Sequence, residues 1–229
     1  MENEKGALII VDVQNDFCPG GALPVAHGDE IVARLNKLIE AVARAGQPIV
    51  YSRDWHPVMT CHFRQYGGFW PAHCLQYTSG AEFHPALKVP QDAVIVSKGM
   101  DNKDDGYSAF EGRILADGDK TLEEYLREQG VTDLCVGGLA TDYCVKATVL
   151  DAQKLGFRVH LLLDACRAVD VNSGDGDKAV EEMYRAGASI DAVWWWILNG
   201  HLWFIHHRIA FGYGFLQIHD GSVGFSKVP

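Results

Sequence analysis

The sequence lacks three features that mark secreted and membrane proteins. None of its six cysteines forms a Cys-x-x-Cys motif, and in a chain of 229 residues their spacing is not that of a disulfide framework. The first five residues are mostly charged and lead directly into an apolar segment, without the pattern of a signal peptide. An apolar stretch that starts at Trp194 is interrupted at residues 199–201, whereas a membrane helix needs about 20 apolar residues. These absences predict a cytoplasmic protein with reduced thiols and no membrane contact.

Clusters of basic residues are also missing. The chain has 20 Lys and Arg against 30 Asp and Glu, which gives a formal net charge of −10. Because phosphate backbones are bound by clustered Lys and Arg, this balance argues against a nucleic-acid partner. Apolar residues make up 48% and charged residues 22%, as in ordinary globular proteins, and the length suffices for one large domain.

Short β-rich segments alternate with helical patterns along the chain. The first segment, Ala7–Val13, is almost continuously apolar, as in a strand buried on both faces. The six predicted strands are residues 7–13, 48–54, 93–98, 134–139, 158–165 and 189–193. Four helical patterns lie among them and end at Gly46, Gly130, Gly156 and Gly187. This alternation predicts an α/β fold with a doubly wound, mainly parallel sheet of about six strands and helices on both faces.

Two parts of the chain depart from this alternation. Residues 55–90 have little periodicity, and a long irregular segment inside a compact domain is usually functional. Residues 192–229 form an atypical, aromatic-rich tail after a domain predicted over residues 1–191, and four of the six tryptophans lie there. Three explanations for the tail stay open: packing on the domain, a homo-oligomer contact, or a changed reading frame.

Four reactive residues lie at the ends of four successive predicted strands. Asp12, Asp54 and Lys98 close the first three strands, and Cys144 follows the fourth. Because ligands of open parallel sheets bind beyond the carboxyl ends of the strands, we expect these side chains to converge. Asp12 could then accept the thiol proton of Cys144, and Lys98 would lower the pKa of that thiol. Individually, each residue is also consistent with a turn cap or an exposed strand end.

Cys144 lies between an apolar strand and a helical pattern, after a glycine pair at residues 137–138. The positive end of a helix macrodipole favours a thiolate, which is the nucleophilic form of cysteine. Backbone N–H groups near such a helix start can also face a developing oxyanion. The alternative is a small buried cysteine that follows a strand by chance.

A second cluster of candidate residues lies in and beside the irregular segment. It contains one carboxylate and three imidazoles, from Asp54, His56, His62 and His73. Oxygen and imidazole ligands suit one divalent ion such as Zn²⁺, Fe²⁺ or Mn²⁺, with Zn²⁺ preferred here. Three aromatic residues near these motifs, Phe17, Trp70 and Tyr107, could enclose a flat ring, although core packing explains any one of them equally well.

Taken together, these segments resemble the nicotinamidases, also called pyrazinamidases, of the isochorismatase-like cysteine hydrolase superfamily. The motifs that carry the resemblance are residues 9–17 (IIVDVQNDF), 53–57 (RDWHP), 70–74 (WPAHC), 97–99 (SKG), 107–110 (YSAF) and 138–145 (GLATDYCV). The match runs from about residue 7 to about residue 190. It implies a small-molecule substrate, nicotinamide, which is hydrolysed in NAD salvage through a cysteine thioester.

The resemblance also implies a role for each matching residue. Asp12, Lys98 and Cys144 match the catalytic triad, and Asp54, His56 and His73 match metal ligands. His62 matches a fourth ligand that occurs in only part of the family. A cis peptide bond is expected at Leu139-Ala140, with the N–H groups of Ala140 and Cys144 forming the oxyanion hole. Phe17, Trp70 and Tyr107 are implied to line the substrate pocket.

Two other functions stay open on the sequence alone. One is a different cysteine amidase of the superfamily, such as an N-carbamoyl amidohydrolase, which uses the triad but generally lacks the metal motif. The other is a metal- and ligand-binding protein whose catalysis has decayed. True isochorismatases lack the cysteine, so Cys144 argues against that activity.

Overall fold

The computed structural model describes residues 5–193 and, in addition, residues 218–219 and 222–223. An eight-stranded sheet forms the centre of the described chain, in the order β5-β4-β3-β2-β1-β6-β7-β8. The strands are β1 Lys5–Val11, β2 Ile49–Asp54, β3 Val94–Lys98, β4 Arg113–Ile114, β5 Lys120–Thr121, β6 Val131–Leu139, β7 Arg158–Arg167 and β8 Ser189–Asp191.

Six of these strands are the predicted ones, and they pair in parallel. The two others, β4 and β5, are antiparallel additions at one edge of the sheet. The expected count of about six strands is therefore too low by two. Each added strand has only two residues, so neither is long enough to show an alternating pattern.

The helices cover both faces of the sheet, which confirms the doubly wound fold. They are α1 Val32–Arg44, α2 Leu122–Glu128, α3 Lys146–Lys154 and α4 Asp175–Arg185. The buried side chains of α1 pack in one core cluster, and those of α2, α3 and α4 pack in the other. Along β1, Leu8 and Ile10 face α1, while Ala7, Ile9 and Val11 face the opposite layer.

The predicted helix ends are confirmed. The four glycines expected to stop helices all have positive φ, between 65° and 110°. The helix starts are less regular: α1 follows a 3₁₀ turn, Gly28–Ile31, instead of being capped directly by Asp29. Helix α2 begins with a capping box between Thr121 and Glu124.

The strand order determines where the site lies. β1 is the central strand, with β2 and β3 on one side and β6 on the other, so the carboxyl ends of four chemistry-bearing strands are neighbours. Asp54 and Lys98 are directly paired in the register of β2 and β3. The strand order changes direction beside β1, with β2 on one side and β6 on the other. In a doubly wound sheet, ligands bind at such a point.

Isolated bridges hold the irregular segment against itself. His56 pairs with Leu75, and Phe63 pairs with Trp70. Residues 218–219 and 222–223 form a separate antiparallel pair, and the rest of the predicted tail from residue 194 lies outside the described residues. Among the described helices, none has the length and apolar character needed to cross a membrane.

Candidate active site

Lys98 lies at the centre of a buried cluster that joins three strand ends. Its Nζ atom is 2.7 Å from Asp12 Oδ2 and 3.4 Å from Cys144 Sγ. The same ammonium group donates hydrogen bonds to Asp54 Oδ1 and to the Gly106 carbonyl oxygen. The predicted convergence of Asp12, Lys98 and Cys144 is therefore observed.

The charges of this cluster balance one another inside the protein. Burial lowers the pKa of Lys98, but the carboxylates of Asp12 and Asp54 outweigh it, so this pKa lies well above its ordinary value. Burial likewise raises the pKa of Asp54, but Lys98 and the neighbouring imidazoles leave it well below its usual range. Lys98 is thus an ammonium group and Asp54 a carboxylate.

The pKa of Asp12 is shifted in the opposite direction to that of Asp54. Burial raises its pKa, and the Asp54 carboxylate adds to this effect, while Lys98 acts in the opposite direction. The Ser52 hydroxyl donates a hydrogen bond of 2.6 Å to Asp12 Oδ1, which fixes the orientation of the carboxyl group. A raised pKa makes Asp12 a better proton acceptor than an ordinary exposed aspartate.

The expectation that Cys144 has a lowered pKa is wrong for this structure. Burial raises the pKa of the thiol well above its ordinary value, and the opposing effect of Lys98 is smaller. The sulfur lies in a buried π-type turn, Thr141–Val145. The sequence-based expectation considered the helix macrodipole and Lys98 but not this burial. The resting group is therefore a thiol, with Asp12 beside it to accept the proton.

Three imidazoles from the irregular segment meet on the other side of Asp54. Ligand atoms of His56, His62 and His73 all lie within 4.8 Å of one another, and all three side chains are buried. Asp54 Oδ2 is 3.5 Å from His56 Nε2 and 3.7 Å from His73 Nε2. The structure thus brings together all four residues that the sequence analysis named for a metal ion.

The orientation of the rings fits a cation site. Each Nδ1 atom donates a hydrogen bond outward, at 3.0 Å to the Gly99 carbonyl, 2.7 Å to Asp105 Oδ1 and 2.8 Å to the Pro71 carbonyl for His56, His62 and His73 respectively. This leaves Nε2 with its lone pair, as metal-ligating imidazoles require. His56 Nε2 is fully buried and has no hydrogen-bond partner among the described residues, which is costly unless a ligand occupies the position.

Asp54 owes its position to a buried glutamine. The side chain of Gln14 accepts a hydrogen bond from Asp54 N and donates one to Asp54 O, each of 2.8 Å. It thereby continues the pairing of β2 beyond its last residue. The carboxylate of Asp54 is held between Lys98 and the imidazoles as a consequence.

One pocket brings Cys144 and members of the imidazole cluster within reach of a ligand. Its empty volume is about 350 Å³, including the part that opens to solvent. The lining residues are Phe17, Leu23, Asp54, His62, Trp70, His73, Tyr107, Ala140, Tyr143, Cys144 and Val169. Phe17, Trp70 and Tyr107 all lie where the sequence analysis expected them, beside the candidate nucleophile.

The aromatic wall is built by contacts among its members. Trp70 Nε1 donates a hydrogen bond of 2.9 Å to the Tyr107 hydroxyl. The ring of Tyr143 lies edge-on to Trp70 at 4.8 Å and is stacked with Tyr107 at 6.0 Å. Phe17 contacts the ring of His73 at 5.3 Å, so the pocket wall and the imidazole cluster are in direct contact.

The turn that carries Cys144 has the backbone expected from the resemblance. The Leu139-Ala140 peptide bond is cis, as expected. Gly138 has a φ of 138°, and a Cβ atom there would lie 2.0 Å from the Val11 carbonyl oxygen, so only glycine fits. Ala140 and Cys144 both line the pocket, while the Ala140 carbonyl accepts hydrogen bonds from Tyr143 N and Val145 N.

The sequence analysis missed several residues of the site. Tyr143 directly precedes Cys144, and this adjacency was a usable signal for a pocket residue. Asp105, which orients His62, lies in an irregular acidic segment with no pattern that distinguishes it from Asp101 or Asp104. Leu23 and Val169 carry no chemical signal at all.

Comparisons with known proteins agree with this geometry. The family model of the isochorismatase domain matches residues 6–191. The nicotinamidase of Escherichia coli is 41% identical over 201 residues, which cover 80% of this chain and 93% of the relative. The nicotinamidase/pyrazinamidase of Mycobacterium tuberculosis is 36% identical over 187 residues, covering 80% and 97% of the two chains.

A solved structure is similar over the same region. The pyrazinamidase of Pyrococcus horikoshii in complex with zinc has a TM-score of 0.74 and 46% sequence identity, and the match covers 82% of this chain and 99% of that one. The chain belongs to the isochorismatase domain family.

Proposed function

We propose that this protein is a nicotinamidase, which hydrolyses nicotinamide to nicotinate and ammonia, and pyrazinamide to pyrazinoate and ammonia. The observation that carries the proposal is the junction of two clusters in one aromatic-walled pocket. Asp12, Lys98 and Cys144 form the first cluster, and Asp54 connects it to the three imidazoles of the second. Nicotinamidases of comparable length at 36–41% identity support the same substrate.

The reaction begins with proton transfer from the Cys144 thiol to Asp12. The sulfur then attacks the carboxamide carbon of the substrate and forms a covalent bond to it. Lys98, at 3.4 Å from the sulfur, stabilises negative charge on it as the proton leaves. Asp12 is then a carboxylic acid beside the amide nitrogen.

The carbonyl oxygen acquires negative charge as the sulfur adds. The N–H groups of Ala140 and Cys144 are proposed to stabilise this oxyanion, and one such donor is typically worth ~100- to 1000-fold in rate. Asp12 returns its proton to the departing ammonia, which leaves a thioester on Cys144. Water hydrolyses this thioester, releases nicotinate and restores the thiol.

Asp54, His56, His62 and His73 are proposed to hold one divalent ion, with Zn²⁺ preferred over Fe²⁺ and Mn²⁺. The relative solved with zinc supports this preference. When bound, the ion supplies a positive charge that attracts the pyridine ring nitrogen, directly or through water. The side chain of Asp105, which accepts the hydrogen bond from His62 Nδ1, is 58% exposed, so His62 is oriented by a partner that faces solvent.

The ring of the substrate is proposed to lie between Phe17 and Trp70, with Tyr107 completing the enclosure. These side chains favour a flat heteroaromatic ring over an aliphatic amide. The preference for a heteroaromatic ring distinguishes a nicotinamidase from an N-carbamoyl amidohydrolase, which needs the triad but has no use for the imidazole cluster. A decayed binding protein is disfavoured because all three triad residues are present and Lys98 contacts both of the others.

The proposal is tested by ammonia release from nicotinamide and pyrazinamide by the purified protein. Cys144→Ala should abolish ammonia release while the metal content stays at one divalent ion per chain. Cys61→Ala is the matched control, because it removes an exposed thiol and should keep full activity. Ammonia release that persists in Cys144→Ala would refute the covalent route.

The cellular setting belongs to the same proposal. All six cysteines are free, which supports work in a reducing compartment such as the cytoplasm. Conversion of nicotinamide to nicotinate would serve NAD salvage. Measuring the thiol content of the protein from cells, with and without reduction, tests the reducing environment.

A further inference from the structure

The turn after β1 binds the irregular segment that carries the three imidazoles. Gln14, Asn15 and Asp16 follow one another, and each uses its side chain in a hydrogen bond to residues between 54 and 81. Gln14 holds the backbone of Asp54. The roles of Asn15 and Asp16 are not explained by the chemistry of the pocket, because neither residue lines it.

Asp16 makes the most specific contacts of the three. One carboxylate oxygen, Oδ2, accepts a hydrogen bond of 2.7 Å from the backbone N–H of Cys74. The other, Oδ1, accepts one of 3.0 Å from Ala22 N. Gly80 packs so closely on this carboxylate that a Cβ atom there would lie 2.2 Å from Oδ2. Three separate pieces of backbone therefore contact the carboxylate, which is half-buried.

The hydrogen bond from Cys74 N to Asp16 holds the backbone of the residue directly after His73. Cys74 has a φ of 45°, a left-handed conformation that is uncommon for residues other than glycine and that persists only where the surroundings hold it. Its carbonyl oxygen accepts a hydrogen bond of 3.0 Å from His56 N. The backbone of Cys74 thus lies between two of the imidazoles, and a charge-assisted hydrogen bond fixes it.

The hydrogen bond from Ala22 N to Asp16 holds another part of the pocket lining. Leu23, the next residue, lines the pocket, and its N–H donates to the Asp16 carbonyl oxygen at 3.0 Å. Phe17, which follows Asp16, contacts the ring of His73. Asp16 therefore connects the strand that carries Asp12 with the segment that carries His73.

We propose that Asp16 is a positioning residue, which holds the backbone of Cys74 so that His73 points its Nε2 atom into the cation site. The inference rests on the proposed function, because it assumes that His73 is a ligand. Residues that orient metal ligands from behind typically change metal affinity 10- to 100-fold when they are removed. We expect a loss of this size for Asp16→Ala.

The experiment measures the zinc dissociation constant of the full chain by competition with a chromogenic chelator. Asp16→Ala should weaken zinc binding by about 10- to 100-fold relative to the unaltered protein. Asp16→Asn keeps the shape and one acceptor oxygen, so it should give a smaller loss, and it replaces Asp16→Ala if that variant does not fold. Asn15→Ala is the matched control, because it removes a 2.7 Å bond from the same turn to the Ser79 carbonyl.

A second measurement separates positioning from general stability. The melting temperature of each metal-free variant reports the fold, and its rise on adding zinc reports the site. For Asp16→Ala we expect a melting temperature close to that of Asn15→Ala without metal and a smaller rise with zinc. Zinc binding at the unaltered affinity in both Asp16 variants overturns the inference alone. An unaltered protein that binds no zinc overturns the proposed cation site, and the inference with it.

Discussion

Lys98 and Asp54 form a fully enclosed ion pair in which each residue serves a different cluster. The ammonium group of Lys98 also contacts Asp12 and Cys144, whereas the second carboxylate oxygen of Asp54 faces the imidazoles. A change of charge in one cluster therefore changes the electrostatic potential at the other. Buried pairs of this kind are costly to break, because the remaining partner keeps its charge without compensation.

Removing the positive charge of Lys98 should destabilise the protein and change the pH dependence of its stability. Lys98→Met leaves Asp12 and Asp54 buried without their counter-charge, so we expect a loss of about 3–5 kcal/mol in the free energy of unfolding at pH 7.5. In the unaltered protein the stability that the lowered pKa of Asp54 contributes is fully present at both pH 7.5 and pH 5, and it is lost only as the pH falls below the ordinary carboxyl pKa of about 3.9. In Lys98→Met the pKa values of both carboxyls lie above their unfolded values, so stability should instead rise from pH 7.5 to pH 5.

Urea unfolding of the metal-free proteins at the two pH values measures this effect. Lys120→Met is the control, because Lys120 forms ion pairs with the exposed residues Asp117 and Glu128. Its loss should be much smaller than that of Lys98→Met, as for other surface pairs. A Lys98→Met protein whose stability does not rise more toward pH 5 than that of the unaltered protein would contradict the charge balance described here.

Asp12→Asn should remove the proton acceptor while preserving the shape of the site. General acid–base catalysis typically contributes 100- to 10,000-fold, so we expect kcat for nicotinamide to fall by a factor in this range. The hydrogen bond from Ser52 can be kept by the amide oxygen, and KM should change little. Steady-state ammonia release measures both constants, and a kcat reduced by less than about tenfold would exclude Asp12 as the general base.

Chelation should remove one divalent ion and lower the melting temperature. An ion present at 100 times its dissociation constant stabilises the folded state by about 2.7 kcal/mol, and this contribution disappears in excess chelator. His56→Ala should abolish the effect, because it removes the fully buried Nε2 atom. His84→Ala is the matched control: its imidazole accepts a local bond from Ala86 N, so the response to chelation should stay as in the unaltered protein.

Tyr107→Phe should affect substrate binding more than turnover. The substitution removes the hydroxyl that accepts the hydrogen bond from Trp70 Nε1 and leaves the ring in place. A typical net contribution of about 0.5–1.5 kcal/mol corresponds to a KM increase of about 2- to 13-fold at nearly constant kcat. If kcat falls while KM stays constant, Tyr107 takes part in the chemical step and the assignment to the pocket wall is wrong.

Parallel strands and their ends were predictable from the sequence because both have local signals. A continuous apolar segment such as residues 7–11 shows burial on both faces, and Asp54 and Lys98 stand out because they close such segments. The raised pKa of Cys144 was not predictable, because it depends on how completely distant segments enclose the sulfur. The contacts of Asp105 and Gly106 were missed for a related reason: they come from an irregular segment whose path only the tertiary structure determines.

Gly138 has a practical consequence for engineering this enzyme toward bulkier amides. No side chain can replace its hydrogen without displacing the Val11 carbonyl, so the end of β6 that leads to the Cys144 turn resists redesign. The pocket wall, in contrast, is contributed by Trp70, Tyr107 and Tyr143, whose side chains contact one another. Libraries that vary these three rings and leave the glycine untouched therefore offer the most direct route to a wider choice of substrates.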